Sequence, residues 1–203
     1  MNQTYLIPEV AYLLGSIPFG LIIVRLSRGN DIREVGSGNI GAANVTRNAG
    51  TFAGLLTLAL DAAKGYLAVW LAAYWTSHSI FWMMIAAITA VVGHMFPVWL
   101  KLRGGKGIAT GLGVFLPICW QAIAFAAVLW ILVVAFWRYA SLGSIAAAAT
   151  IPVFIYFLYQ PGYAPPDIVT FGTAFIAGLV LYKHLPNIER LLAGDEPRLR
   201  SSK

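Results

Sequence analysis

Residues 108–137 read IATGLGVFLPICWQAIAFAAVLWILVVAFW, and Arg138 follows at once. The run holds no charged side chain, so its solvent is hydrocarbon rather than water. A crossing needs about 20 apolar residues, and this run exceeds that. It reads as one over-long crossing or as two short ones with a bend near Leu116–Pro117. Cytoplasmic loops collect Lys and Arg, and two short crossings put Arg138 on the side of the other basic loops. One crossing strands it opposite. A re-entrant path through the same run, with five crossings in all, also keeps the basic loops together, so charge does not separate that alternative.

Working outward, Tyr5–Leu26, Thr51–Trp75, Ile80–Leu100, Leu142–Tyr159 and Ile168–Tyr182 complete the set. The expected fold is an all-α membrane protein, a bundle of about seven transmembrane helices with the N-terminus outside and the C-terminus cytoplasmic. All of the 14 Lys and Arg residues except Lys64 then fall in cytoplasmic segments or at their ends. Composition agrees: 59% of the 203 residues are hydrophobic and only 11% charged, with a mean hydropathy of +0.75, where a soluble domain carries roughly a quarter charged residues. The net charge of +6 is therefore topological, and no nucleic-acid partner is implied. Met1–Pro8 lacks a basic n-region and a small-residue cleavage site, so the first apolar segment is expected to stay as a span. One domain, 1–203, is expected, with a short mobile tail from about 195. Cys119 lies in an apolar run and reads as a buried, inert thiol.

Three polar segments share the cytoplasmic side. The first, Gly36-Ser-Gly-Asn-Ile-Gly-Ala-Ala-Asn-Val-Thr-Arg47, is rich in glycine and in donors for oxyanions. Such a segment is tolerated at a membrane only where protein and water surround it. The second, Arg103-Gly-Gly-Lys-Gly-Ile-Ala-Thr-Gly111, enters a helix through glycines, and reads as an anion site at a helix N-terminus with a lysine beside it or as a flexible basic loop touching anionic headgroups. It is not a Walker A loop, because Gly107 stands where that pattern needs Ser or Thr. The third runs from Lys183 and His184 through Asn187, Glu189, Arg190 and Gly194 to Glu196, as the end of a span followed by a short interfacial helix. His184 and Asn187 are three apart, on one helical face. Glu189 and Arg190 read as a solvated face, and Ser141 and Ser144 as further hydroxyls opening to the cytoplasm.

Asp61 and Lys64 interrupt a span, where each unpaired charge costs about 2.5–3.5 kcal/mol. Their spacing allows a mutual ion pair, so they read equally as a register-fixing pair or as substrate ligands. His94, ahead of Pro97, reads first as a helix-end hydrogen bonder. The three histidines stand far apart in sequence without a Cys or carboxylate cluster, so no metal is expected.

Ser37-Gly-Asn-x-Gly-Ala-x-Asn-x-x-Arg47, Gly93-His-x-x-Pro with Arg103-Gly-Gly-Lys-Gly-x-Ala-Thr110, and His184-x-x-Asn187 with Gly194-x-Glu196 together resemble the bacterial acyl-phosphate:glycerol-3-phosphate acyltransferases. The resemblance covers essentially the whole chain. Ala43 departs from it, since the family usually has Thr there. The resemblance implies transfer of a fatty acyl group from acyl phosphate to the first hydroxyl of sn-glycerol 3-phosphate, giving lysophosphatidate and phosphate, without acyl-CoA, acyl carrier protein or any cofactor. It implies membrane lipids as surroundings, functional coupling to an enzyme that forms acyl phosphate, and a bacterial inner-membrane location with the active site on the cytoplasmic side.

By the same resemblance Ser37, Arg47, His184 and Asn187 are catalytic. It also implies that Asn39, Asn44, Gly104, Gly105, Lys106, Gly107 and Thr110 bind substrate and that Glu196 supports the site, while position and spacing add Ser141 to the substrate set and Asp61, Lys64 and His94 as supporting residues. A transporter of a phosphorylated solute is the rival reading, since Asp61 and Lys64 suit an intramembrane path. A structural subunit that docks a soluble partner is a weaker rival, because it leaves the Gly, Ser and Asn content unexplained. Against transport, the polar segments collect at one membrane face instead of being distributed across it.

Overall fold

The computed structural model describes residues 3–160 and 162–199. Among them the regular structure is helical throughout: α1 (Ile7–Gly15), α2 (Phe19–Arg28), α3 (Ala42–Ala49), α4 (Thr51–Trp75), α5 (Ile80–Met95), α6 (Ile108–Trp137), α7 (Ala140–Leu158), α8 (Asp167–Lys183) and α9 (Leu185–Ala193), with 3-10 turns at Gln3–Leu6, Ile32–Glu34 and Val98–Leu100. Helix is the form that satisfies its own backbone in lipid. The chain divides into two compact units, 1–118 and 119–203.

Five helical stretches are long and apolar enough to cross a membrane: Thr4–Arg28, Thr51–Trp75, Ile80–Leu100, Ile108–Trp137 and Ala140–Leu158. A sixth is added if α8 and α9, bent by 52°, count as one. The expectation of seven depended on dividing Ile108–Trp137. That run is one helical stretch of 30 residues, broken at Cys119, where φ is −156° and ψ 81°. The break lies two residues beyond the expected bend. Pro117, just before it, removes an N–H from the helical ladder and crowds the preceding turn.

In the first unit, the opening span is not one helix. Pro18 separates α1 from α2, and the carbonyls released there find donors from elsewhere: Trp99 Nε1 donates to Ser16 O at 2.8 Å and Lys64 Nζ donates to Ile17 O at 2.7 Å. α1 and α5 pack backbone to backbone. A methyl on Gly15 would strike the Ala90 carbonyl, and one on Gly93 would strike that of Tyr12. Gly113 of α6 meets Ala62 of α4 in the same way. Small residues at helix crossings are how spans associate where lipid offers no hydrophobic drive. Met84, Ala87 and Val91 of α5 are fully buried by this packing.

In the second unit α7 packs on α8, and α9 touches both. Pro186 falls in the first turn of α9, where a missing N–H costs nothing.

Candidate active site

The Gly36–Arg47 segment is built around Asn44. That residue is 2% exposed, and its Nδ2 donates to the carbonyls of Ile32, Val35 and Asn39 at 3.2, 3.1 and 2.9 Å. Its Oδ1 accepts from Ser37 N and Asn48 Nδ2, each at 3.0 Å. One amide thus gathers five groups of the loop. Gly36 has φ +60°, and a Cβ there would run into Oδ1 of Asn44 and Nδ2 of Asn48, so the turn demands glycine. Asn39 Oδ1 accepts from Gly41 N at 2.7 Å, shaping the entry to α3. Ile32, Ile40 and Val45 anchor the segment from below, packed with Leu21, Val24, Ala53 and Leu100. Among the polar side chains of the segment, Ser37, Thr46 and Arg47 are exposed. Asn44, expected to bind substrate, instead spends its amide on the loop.

Beside the segment, Asp31 caps the Ile32–Glu34 turn and pairs with Arg33, whose Nη2 lies 2.6 Å from its Oδ2. The Arg33 guanidinium holds that carboxyl down at about 2.

The glycine turn before α6 is stitched to the end of α5. Gly104 N donates to Met95 O at 3.1 Å and Gly105 N to His94 O at 3.0 Å. Gly107, at φ +85°, then turns the chain into α6, whose first N–H groups have no partner within the helix. Lys106 is half-buried at this entrance. Thr110, one turn further, is fully buried, and its Oγ1 has no hydrogen-bond partner among the described residues. It faces α4: a Cβ added to Gly65 would meet its carbonyl at 2.5 Å and its methyl at 3.2 Å. The carbonyl and methyl of Thr110, expected in the substrate set, thus pack on α4.

Asp61 and Lys64 form the ion pair that their spacing allows, with Nζ 2.7 Å from Oδ1 and both side chains 2% exposed. Lys64 also lies 5.7 Å from the centre of the Phe19 ring. The same Oδ1 stands 3.7 Å from Nδ1 of His94.

In the second unit His184 joins α8 to α9 and is 3% exposed. Its Nδ1 lies 2.8 Å from Val180 O. A carbonyl can only accept, so Nδ1 carries the proton of the neutral ring and the lone pair sits on Nε2. Asn187 N donates to His184 O at 2.8 Å, which places the two residues on one turn as their spacing predicts. Asn187 Nδ2 donates to Glu196 Oε1 at 2.7 Å and Arg190 Nε to Oε2 at 2.8 Å. Burial alone would raise the Glu196 pKa. Ser141, Asn187 and Arg190 outweigh it and hold the carboxyl below its ordinary value. The Ser141 hydroxyl does this from beside the carboxylate, outside the geometry of a full hydrogen bond.

Asp195–Leu199, where a mobile tail is expected, makes specific bonds. Leu199 N donates to Arg138 O at 2.7 Å, Arg138 Nη2 to Leu199 O at 3.1 Å, and Arg198 Nε to the Tyr139 hydroxyl at 3.0 Å. Ser144, read as an open hydroxyl, donates to Ala140 O at 2.9 Å and accepts from Trp130 Nε1 at 3.2 Å.

Within the first unit the structure thus joins Asp61, Lys64 and His94 to Gly104 and Gly105, and gathers Ser37, Asn39 and Asn44 into one loop. Within the second it joins Ser141, Asn187 and Glu196. Arg190, dismissed as a solvated face, belongs to that second cluster. Its position three residues after Asn187 is the signal that could have found it. Trp99 and Asn48 carry no comparable mark in the sequence.

Comparison with known proteins bears on this arrangement. A family model described as glycerol-3-phosphate acyltransferase matches residues 5–194. The glycerol-3-phosphate acyltransferase of Syntrophotalea carbinolica is 44% identical over 201 residues, covering 99% of this chain and 100% of the relative. An integral membrane glycerol 3-phosphate acyltransferase, solved in a glycerol 3-phosphate form, superposes with a TM-score of 0.90 at 37% identity, over 98% of this chain and 96% of that one. Its lysophosphatidic acid form superposes with a TM-score of 0.87 at 35% identity, with the same coverage.

Proposed function

The chain belongs to the glycerol-3-phosphate acyltransferase family, and from that premise we propose that it takes its acyl group from a fatty acyl phosphate and delivers it to the 1-hydroxyl of glycerol 3-phosphate. The family makes it an integral membrane acyltransferase of phospholipid synthesis. The chemistry of the site supports the donor that the family resemblance implies. The observation that carries it is the Gly104–Gly107 turn, sewn to the His94 and Met95 carbonyls with Lys106 at the entrance to α6. An acyl phosphate is a mixed anhydride whose phosphate leaves readily, so an anion site that neutralises the departing phosphate supplies most of what the reaction needs. The existence of glycerol 3-phosphate and lysophosphatidic acid forms of a structural neighbour supports the acceptor and the product.

In this reading the acceptor's hydroxyl oxygen attacks the acyl carbonyl carbon, the bond from that carbon to the phosphate oxygen breaks, and the phosphate departs with the electron pair. Ser37, Asn39 and Arg47 hold substrate phosphate and carbonyl oxygens. Gly104, Gly105, Lys106 and Gly107 form the phosphate loop, and Asn44 keeps the first loop in shape. His184 takes the hydroxyl proton at Nε2, the nitrogen that its Nδ1 bond to Val180 leaves basic. Asn187 is needed for turnover, with Glu196, Arg190 and Ser141 holding it in place. Asp61 and Lys64, the feature a transport path would use, are spent on each other and on Ile17. The basic loops support an active site on the cytoplasmic face of a bacterial inner membrane.

The test is direct. Purified protein is given palmitoyl phosphate and labelled glycerol 3-phosphate, without CoA or carrier protein. Labelled lysophosphatidate is expected. Folded protein that forms it only from acyl-CoA or acyl carrier protein would refute the donor, and folded protein that forms none would refute the reaction.

A further inference from the structure

We infer that Asp61, Lys64 and His94 are positioning residues for the Gly104–Gly107 loop, the buried ion pair orienting the imidazole and the imidazole holding the loop. The inference rests on the phosphate-binding reading of that loop.

A buried ion pair is weak as a stabiliser, because desolvation offsets its attraction and well-packed apolar side chains of similar volume do as well or better. What this pair supplies must therefore be geometric. Lys64 Nζ is held between Asp61 Oδ1 at 2.7 Å and the Ile17 carbonyl at 2.7 Å, with the Phe19 ring at 5.7 Å. The ammonium ties α4 to the break between α1 and α2 and leaves the carboxylate little freedom. That carboxylate faces Nδ1 of His94 at 3.7 Å. The opposite side of the imidazole is the floor of the loop: a Cβ on Gly105 would overlap Nε2 and lie 2.7 Å from Cε1 and 3.0 Å from Cδ2. A Cβ on Gly104 would overlap the His94 carbonyl. The same histidine accepts Gly105 N through its backbone, so ring and carbonyl grip one glycine from both sides.

The chain between His94 and the loop is tied to the first span as well. Tyr12 donates its hydroxyl to Phe96 O at 2.8 Å, and Trp99 Nε1 reaches Ser16 O at 2.8 Å. Ser16 and Ile17 are adjacent, so the break after α1 takes a donor from the loop segment and a donor from the ion pair side by side. Asp61, Lys64 and His94 thus act through the loop. The quantity they control is where Gly105 and Lys106 stand, and hence how well a phosphate binds.

The test is steady-state kinetics on the full-length protein with both substrates varied, beside a thermal unfolding curve for each variant. Gly105→Ala first identifies the substrate whose KM depends on the loop. Asp61→Leu/Lys64→Met removes both charges together, so no unpaired ion is left buried, and the unfolding curve reads the cost of the donor lost at Ile17 O. That double variant is expected to raise the same substrate's KM by about tenfold while kcat stays within about threefold. A purely structural pair predicts wild-type kinetics once stability is kept, and that result would overturn the inference. An independent measurement uses His94→Asn, whose side chain ends short of the imidazole's Nε2 and Cε1. Gly105→Ala is expected to raise KM by about tenfold in the wild type but by about threefold or less in the His94→Asn background, a coupling that contact between the two residues requires. Equal effects in both backgrounds would also overturn it. Wild-type protein that makes no lysophosphatidate would refute the reading of the loop, and the inference would fall with it.

Discussion

Asn44→Asp is the smallest change that tests whether the Gly36–Arg47 loop is held by one amide. The two side chains have the same shape, and Oδ1 keeps its bonds from Ser37 N and Asn48 Nδ2. The other branch becomes an oxygen facing the carbonyls of Ile32, Val35 and Asn39, at the 2.9–3.2 Å now spanned by donated hydrogens. An amide nitrogen has two hydrogens, so two net bonds are lost, at roughly 0.5–1.5 kcal/mol each. Repulsion between the new oxygen and the carbonyls adds to the loss. About 2 kcal/mol is the expected cost, or about thirtyfold in the population of the opened loop. Arg33 and Arg47 lie exposed at either end of the segment, and trypsin can cut after either once the backbone opens. Where closing outpaces cleavage, the rate follows the open population. Fragments ending at Arg33 or Arg47, counted by mass spectrometry, are therefore expected to appear about thirtyfold faster. A rate within about threefold of wild type would show that the hydrophobic anchors Ile32, Ile40 and Val45 hold the loop without the amide.

Lys106→Ala and Arg47→Ala should each lower turnover by about a hundredfold or more, as loss of a group that neutralises developing charge does, with unfolding curves unchanged in detergent. Glu196 is held below its ordinary pKa in the folded chain, so its contribution to stability is fully present above about 4.5 and is lost as pH falls through the lower folded value. The melting temperatures of wild type and Glu196→Gln should accordingly differ most at neutral pH and converge below about pH 4.5. Gly113→Ile should cost about 3 kcal/mol or more, read as a fall in melting temperature, because the new side chain overpacks against the Ala62 backbone. Gly111→Ala, where a methyl meets nothing within 4 Å, should leave the melting temperature unchanged or higher.

The spans were legible because hydrophobic length is a property of a segment by itself. Thr51–Trp75 is read from the sequence with the bounds that α4 has, and the ends of α7 and α8 fall within two residues of expectation. The break at Cys119 was less so, since Pro117 says that a ladder bond is missing but not which residue takes up the distortion. Among the candidate residues, polar type and spacing marked whole stretches and blurred the differences within them. Ser37 and Arg47 are exposed as a binding surface requires, while Asn44 and Thr110 have the same chemistry but are buried. A donor list cannot say whether a donor faces a ligand or its own loop; only the fold's closure decides that.

Asp61 and Lys64 show the limit most sharply. Their spacing predicts the pair, and the pair forms, yet their other neighbours come from distant segments that carry no local signal. Ile17 contributes a carbonyl only because Pro18 breaks the first span, and His94 faces Asp61 only because α4 and α5 pack together. A charged pair that a sequence reading weighs between register and ligand lies, in the folded chain, beside His94, which packs under the Gly104–Gly107 loop. That is why replacing both charges by apolar residues is more informative than removing one. The single variant asks what an unpaired charge costs in a membrane, whereas the double variant asks what the pair does for the loop.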